Sequence, residues 1–489
     1  MASLINTFIN TLNWPVLLIL LPLIGAMICF IWPRSAILTG LITLSAVLCC
    51  VAGLTWQLLE HGVYRHPVGG WGAPLGIDLY ADGLSLIMLL TTALVGSAIS
   101  VYSTAYLKPQ ESTRFWPVWL LLLAALNALF LSADLFNLYV TLELMGLAAV
   151  TLTALSATRQ AYNGAMRYLL ATLLGSLCYL LAIALLYHAY ATVDISLLAQ
   201  RVDSSPVSWA AFGLISAGLA LKTALFPLHF WLPPAHSSAP APVSALLSAL
   251  VVKASFYILL RVWLEIFAPL GAGAVELFGL LGMLAVVWGS IQALRQTRLK
   301  LLIAYSTVAQ IGYLFMAFPL ASNRPQLWAA VLYLALSHAL AKSAMFLSAG
   351  NLLKYGGHDR ISDLDRVVQR LPLTAAAFAL AGVSIMGLPP SGGFISKWLL
   401  LEAAITQGRW DLALVMIFGG LLAAAYIFKV LGRTFTQAAT THEARAVPAS
   451  MEWPALLLAL GAIVLGFIAI PMFGLIHIGD AFGLGGVQP

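Results

Sequence analysis

Six ionisable side chains stand inside stretches that are otherwise apolar. They are Glu143 in LYVTLELMGLAAV, Lys222 in LALKTALFPLHF, Lys253 in SALVVKASFY, His338 and Lys342 in SHALAKSAMF, and Lys397 in GGFISKWLLLEAA. A charge at mid-membrane costs a few kcal/mol, so residues of this kind mark places where charge is used. The chemistry they can do together is proton transfer. Desolvation pushes a lysine toward its neutral form and a nearby carboxylate pushes it back. Moving Glu143 toward or away from Lys222, or changing the water between them, would therefore switch the lysine between holding and releasing a proton. The plainer alternative is a Glu–Lys bridge that holds two helices together.

The remaining members extend that axis. Ser244, Ser248 and Ser255 flank Lys253 and could orient water, or serve only as small packing residues. His338 and Lys342 are four residues apart, hence on one helix face, and read as a relay. Glu402 follows Lys397 and is expected nearer the outer surface. His229 and His236, in FPLHFWLPPAHSS, fall at or beyond the end of their span, where they could admit protons or merely cap a break. In chain order the six residues visit two successive blocks of helices, describing a hydrophilic axis across the membrane plane. Asp359, Asp363 and Asp365 with Arg360, Arg366 and Arg370 read as a solvated or partner-facing loop.

The elements that position these groups follow from composition. With 61% hydrophobic and 9% charged residues and a mean hydropathy of +0.96, the 489-residue chain reads as an all-α polytopic membrane protein. Spans are expected near 13–32, 35–58, 79–104, 113–132, 134–155, 164–190, 207–231, 241–267, 271–294, 299–319, 326–350, 371–402, 411–433 and 453–475, fourteen in all. No basic region precedes the first apolar run, which therefore reads as a retained span. The four cysteines, Cys29, Cys49, Cys50 and Cys178, read as small core residues. No phosphate loop, nucleophile elbow or metal-ligand cluster is present, and no motif supports a quinone or flavin, so no cofactor and no metal are expected. A net charge of +6 without a basic, aromatic-interleaved patch gives no reason to expect nucleic acid.

Of the 24 Lys and Arg, fifteen fall in odd-numbered loops or nearby helix ends, five in even-numbered ones and four inside spans. The positive-inside rule then makes the odd loops cytoplasmic and places both termini on the outer side. Two spans are interrupted, the seventh at Phe226-Pro227 and the twelfth by GLPPSGGF, with Pro389, Pro390, Gly392 and Gly393. These breaks lie about 160 residues apart, each fourth in a set of five spans, 113–267 and 271–433. Five is odd, so the second set is expected to insert upside down relative to the first. Matching breaks in inverted repeats point to a transport site. The segments 1–112 and 434–489 then form an N-terminal three-helix unit and a C-terminal loop with the last helix.

The stretches SADLFNLYVTLELM, LKTALFPLHFWLPPAH and GLPPSGGFISKW resemble the antiporter-like membrane subunits shared by Mrp-type cation/proton antiporters, respiratory complex I and membrane-bound hydrogenases. GGWGAPLGIDLYADGLSLIMLL is similar to the corresponding region of the D-type subunits of Mrp Na⁺/H⁺ antiporters, the branch of the family it resembles most. Lys397 stands where one complex I homologue carries a glutamate, which separates the chain from that relative and not from the quinone-proximal one. TLELMGL lacks the bulkier aromatic that the family leads one to expect before the glutamate. The resemblance implies a proton-translocating subunit of a larger assembly in the bacterial cytoplasmic membrane. Glu143 and Lys222 would be the coupling pair, Lys253, His338 and Lys342 the central relay, and Lys397 the terminal site. Proton flow would drive Na⁺ or K⁺ exchange through partner subunits. A redox-driven pump and an inorganic-carbon uptake complex are the other settings it implies.

Overall fold

The long apolar runs are helical in the computed structural model, which describes residues 12–322, 324–438 and 445–479. The helices are α1 (Trp14–Ile31), α2 (Ala36–His61), α3 (Gly83–Tyr106), α4 (Pro109–Phe130), α5 (Leu135–Thr153), α6 (Arg159–Tyr190), α7 (Ile195–Arg201), α8 (Pro206–Thr223) and α9 (Leu232–Ser238). They continue with α10 (Ala241–Phe267), α11 (Ala272–Arg295), α12 (Leu299–Ala321), α13 (Leu327–Gly356), α14 (Pro372–Met386), α15 (Gly392–Thr406), α16 (Trp410–Thr434), α17 (Ala449–Val464) and α18 (Ala469–Ile476).

Among the described residues, twelve helices are long and apolar enough to cross a membrane, or thirteen if the bent pair α17 and α18 counts as one span. The difference from fourteen lies in two places. The stretch expected over 371–402 is two 15-residue helices, α14 and α15, parted at the proline–glycine break. The stretch expected over 453–475 bends by 86° between α17 and α18 instead of crossing straight. The third span begins at Gly83 and not at residue 79, because Asp78–Ala81 pairs with Tyr64–Pro67 as an antiparallel hairpin, β2 on β1. Asp82 then starts α3. Its carboxylate accepts from Ser85 N at 2.9 Å, and Ser85 Oγ reciprocates toward Asp82 N.

α10 and α13 are buried throughout their membrane-length apolar stretches, whereas α1, α2 and α16 lie at the periphery. The two buried helices carry Lys253, His338 and Lys342, so the core of the bundle and the charged axis coincide. Connecting segments sort into two ends. Arg298 pairs with Asp359, and Lys354 donates to the Ala105 carbonyl, linking odd loops nine, eleven and three. Arg65 pairs with Asp78 and Asp194, and Gln407 donates to the Leu320 carbonyl, linking even loops. The chain termini lie outside the described residues.

Two expectations about individual side chains are corrected. Cys49 is exposed, because it faces out from α2 while Cys50, on the next position round the helix, faces in. Asp359 is buried against Arg298 and the start of α12, not solvated. A buried charge also stands at the even-loop end, that of Arg261. Its guanidinium donates to both Asp82 oxygens at 2.8 and 2.9 Å, to Glu265 at 2.7 Å and to the Tyr257 hydroxyl. Burial alone would raise the Asp82 pKa, and Arg261 overcomes it and holds the carboxyl below its usual range. That stabilisation is present above the carboxylate range and is lost as pH falls through the depressed value. Arg261→Met should destabilise the protein by ~3–5 kcal/mol, because it strands a buried carboxylate. Thermal unfolding of the detergent-purified protein checks this, and Asp82→Asn added to Arg261→Met should recover part of the loss.

Candidate functional site: a buried charged axis

The first element of the site is the end of α8. Helix α8 stops at Thr223 because Ala224 turns left-handed, at φ 61°, and Pro227 follows. The interruption exposes carbonyls that must find donors. Trp231 Nε1 takes the Leu221 carbonyl at 2.8 Å, so the break is a finished structure. Lys222, in the last turn, is brought to α5 and α6 by close helix approach. A Cβ on Gly218 would collide with the Gly175 carbonyl, and one on Gly175 would lie 3.1 Å from Lys222 Cγ. Small residues thus let α6 and α8 touch backbone to backbone.

At that contact Lys222 Nζ lies 3.0 Å from Glu143 Oε1 and donates to Thr172 Oγ1 at 2.8 Å. Ser176 donates to the same Glu143 oxygen. The lysine is buried, while about a fifth of the glutamate side chain is accessible at the outside of the bundle. The pair predicted from sequence is therefore in contact, with hydroxyls from α6 as additional partners.

Lys253 sits just past a π-helical turn, Leu247–Val251, inside α10. A π turn displaces carbonyls from the regular ladder, and Lys253 donates to one of them, that of Ser248. Ser248 in turn shares a 2.9 Å hydrogen bond with Thr307 of α12, Ser244 donates to the His236 carbonyl, and Ser255 has no partner among the described residues. Lys342 donates to Ser306 and, at 3.2 Å, to the Ile303 carbonyl, also on α12. It lies within Coulombic reach of Lys253 and Lys397. His338 is buried one turn away, with neither ring nitrogen hydrogen-bonded among the described residues. A hydroxyl-rich seam on α12 thus joins α10 to α13.

The second break ends the axis. Gly387 is left-handed at φ 79°, and a Cβ there would meet Lys397 Cδ at 2.8 Å, while a Cβ on Gly393 would strike the Ser384 carbonyl. Ser391 caps α15, accepting from Phe394 N at 3.1 Å. Lys397 reaches back across the break to the Ile385 carbonyl at 2.7 Å and lies 4.3 Å from the Tyr313 ring centroid.

Other predicted residues are placed differently. His229 is half-buried and stacks on Phe226, and Glu402 is exposed on α15 away from the axis. His236 is fully buried against Phe346, with both ring nitrogens unpartnered among the described residues and Lys300, Lys342 and Lys253 in Coulombic reach. Pro227, Pro389 and Pro390 are exposed at the breaks, whereas Gly392 and Gly393 are buried. One buried lysine was not anticipated. Lys300 lies inside the first turn of α12 and donates to the Ala239 carbonyl. It forms the floor of a cavity of about 260 Å³ at the odd-loop end, walled by Lys108, Glu111, Ser237, Arg298 and Asp359. The basic run TRLKLL hid it, because nothing in the residue types separates an inward lysine from its outward neighbours.

The architecture defined by these features is a multi-span helical membrane protein in which a chain of buried charges links two broken helices. Residues 132–423 match the model of the transmembrane family described as NADH:quinone oxidoreductase/Mrp antiporter, and residues 71–116 match that of the N-terminus of complex I chain 5. The chain belongs to the former family. It is 35% identical over 483 residues to the N-type subunit of NADH-quinone oxidoreductase from Desulforudis audaxviator, covering 93% of this chain and 96% of the relative. It is 27% identical to the D-type subunit of the Na⁺/H⁺ antiporter from Bacillus subtilis, covering 86% and 87%. A chain of the archaeal membrane-bound sulfane sulfur reductase superposes with a TM-score of 0.89 at 26% identity, covering 96% and 97%. A chain of the Mrp complex of Dietzia sp. superposes at 0.88 with 23% identity over 96% of each, a likeness of fold.

The glycine contact yields a prediction. Gly218→Val, which alters no charge, should part α6 from α8 and cost at least tenfold in transport by the assembled complex. Gly213→Val, at an open position on the same helix, should leave transport within about twofold. Dye-monitored proton movement in vesicles measures both.

Proposed function

We propose that the chain is the proton-translocating subunit of a multisubunit monovalent cation/proton antiporter, exchanging Na⁺ or K⁺. The observation that carries this reading is the 3.0 Å contact between Glu143 and Lys222 at a helix break, continued by buried lysines toward a second break. Protons arrive from the odd-loop end by the Lys300 cavity and His236. While Glu143 is paired with Lys222, the lysine holds its proton. Separation of the pair leaves Lys222 as an unpaired buried charge, which favours handing the proton on. Lys253, His338 and Lys342 pass it between the two helix blocks, with Ser248, Thr307 and Ser306 fixing the geometry. Lys397 exchanges it at the second break.

The two five-helix sets would be inverted repeats, and the odd loops would face the cytoplasm, with both termini outside the bacterial inner membrane. Other membrane subunits complete the assembly and supply the cation path. The relatives named as D-type subunits of Na⁺/H⁺ antiporters support this setting. A second reading, a proton-pumping module driven by partner redox subunits, is favoured by the 35% identity to an N-type subunit of NADH-quinone oxidoreductase that extends over nearly the whole chain.

The test uses inverted vesicles holding the whole complex, with a pH-sensitive dye following an imposed gradient. Antiport predicts collapse on adding Na⁺ or K⁺, abolished in Lys222→Ala with assembly intact. No response to either cation would overturn antiport in favour of the redox module. Full transport in Lys222→Ala or Glu143→Ala would overturn the coupling pair, and normal proton movement in Lys397→Ala would overturn its place as the terminal site.

A further inference from the structure

A groove of about 670 Å³ runs along the outside of the bundle at the odd-loop end, between α1, α4, α5 and α6. Its depth is apolar, lined by Phe30, Pro117, Val118, Leu121 and Leu155, and basic residues stand on or next to its wall. Arg114 lines it directly. Arg34 follows the wall residue Pro33, and Arg159 lies between the wall residues Ala157 and Tyr162. All three arginines are exposed, and none belongs to an ion pair among the described residues. The nearest acid on α4, Glu111, is turned away, accepting from Lys108 N at 3.2 Å and walling the Lys300 cavity instead. Trp32 and Tyr162 stand exposed at the same rim, as aromatic side chains do at a membrane interface.

We infer that this groove is a binding site for an anionic phospholipid, with the phosphate among Arg34, Arg114 and Arg159 and an acyl chain along Val118 and Leu121. The charge pattern selects the occupant. An apolar partner helix laid over the groove would desolvate three guanidinium groups without supplying a counter-charge. Water would satisfy the rim and leave the apolar floor uncovered. A diacyl phosphate matches both, and basic pockets between membrane helices recognise lipid head groups in this way. The site is independent of the buried axis and does not rest on the direction of proton flow.

The test uses the assembled complex purified with its partner subunits and exchanged into nanodiscs of phosphatidylglycerol or of phosphatidylcholine, with retained lipid counted by native mass spectrometry. Arg114→Gln should lower retained phosphatidylglycerol about fivefold, as expected for one interfacial arginine, and leave phosphatidylcholine unchanged. Val118→Trp, which fills the groove, should lower both. Subunit composition checks that each variant assembles. Equal phosphatidylglycerol retention in the wild type and Arg114→Gln would overturn the site. So would an efficient cross-link from Val118→Cys to a partner protein, which would place protein in the groove.

Discussion

The first helix break and the helices packed on it are arranged around the desolvation of Lys222. An ammonium taken out of water needs an opposite charge and hydrogen-bond acceptors within reach, or it releases its proton. Glu143 on α5 and Thr172 on α6 meet that need. The stabilisation is conditional on geometry. One helix stops in order to present the lysine, and two glycines let its neighbour come close enough to receive it. The Glu143 side chain, partly accessible from outside the bundle, is the member of the pair that a partner protein could address.

The same device recurs in different form at the second break and in α10. At Lys397 the helix interruption supplies the Ile385 carbonyl, and at Lys253 a π turn supplies that of Ser248. Each lysine is therefore held by a neutral acceptor that irregular backbone has freed, not by a dedicated acid. Such a group has no hydrogen-bonded acid to anchor its charge, which fits the relay role proposed for it. Arg261 is the contrast. Two carboxylates and a phenol surround it, and it pins the hairpin and the start of α3 to α10. Arg261 thus stands among acids, Lys222 has one acid and one hydroxyl, and Lys253 and Lys397 each have only a backbone carbonyl as hydrogen-bond acceptor among the described residues.

Much of this was legible in the sequence because the membrane makes charge conspicuous. Glu143, Lys222, Lys253, Lys342 and Lys397 stand out against apolar neighbours, and Pro227 and GLPPSGGF announce the interruptions. Counter-charges at the helix ends were not legible, although the Glu143–Lys222 pair was. Asp82 and Arg261 are 179 residues apart, and nothing in either residue's type or neighbours pairs it with the other. Lys300 was hidden for the opposite reason, because it sits among outward-facing basic residues and the first turn of α12 alone decides that it points in. The hydroxyls of Thr172 and Ser176 carry no sequence signal, since serine and threonine are ordinary in membrane helices. The bend between α17 and α18 was missed because hydropathy reports length and not direction.

The measurement that addresses the central claim most directly is dye-monitored proton movement, in vesicles holding the assembled complex, for Glu143→Lys, Lys222→Glu and the two combined. If the two residues act as one pair, each single reversal abolishes transport, because it sets like charges against each other at the 3.0 Å contact, and the combined reversal restores part of it. Full transport in either single reversal would contradict the claim that Glu143 and Lys222 act as one pair.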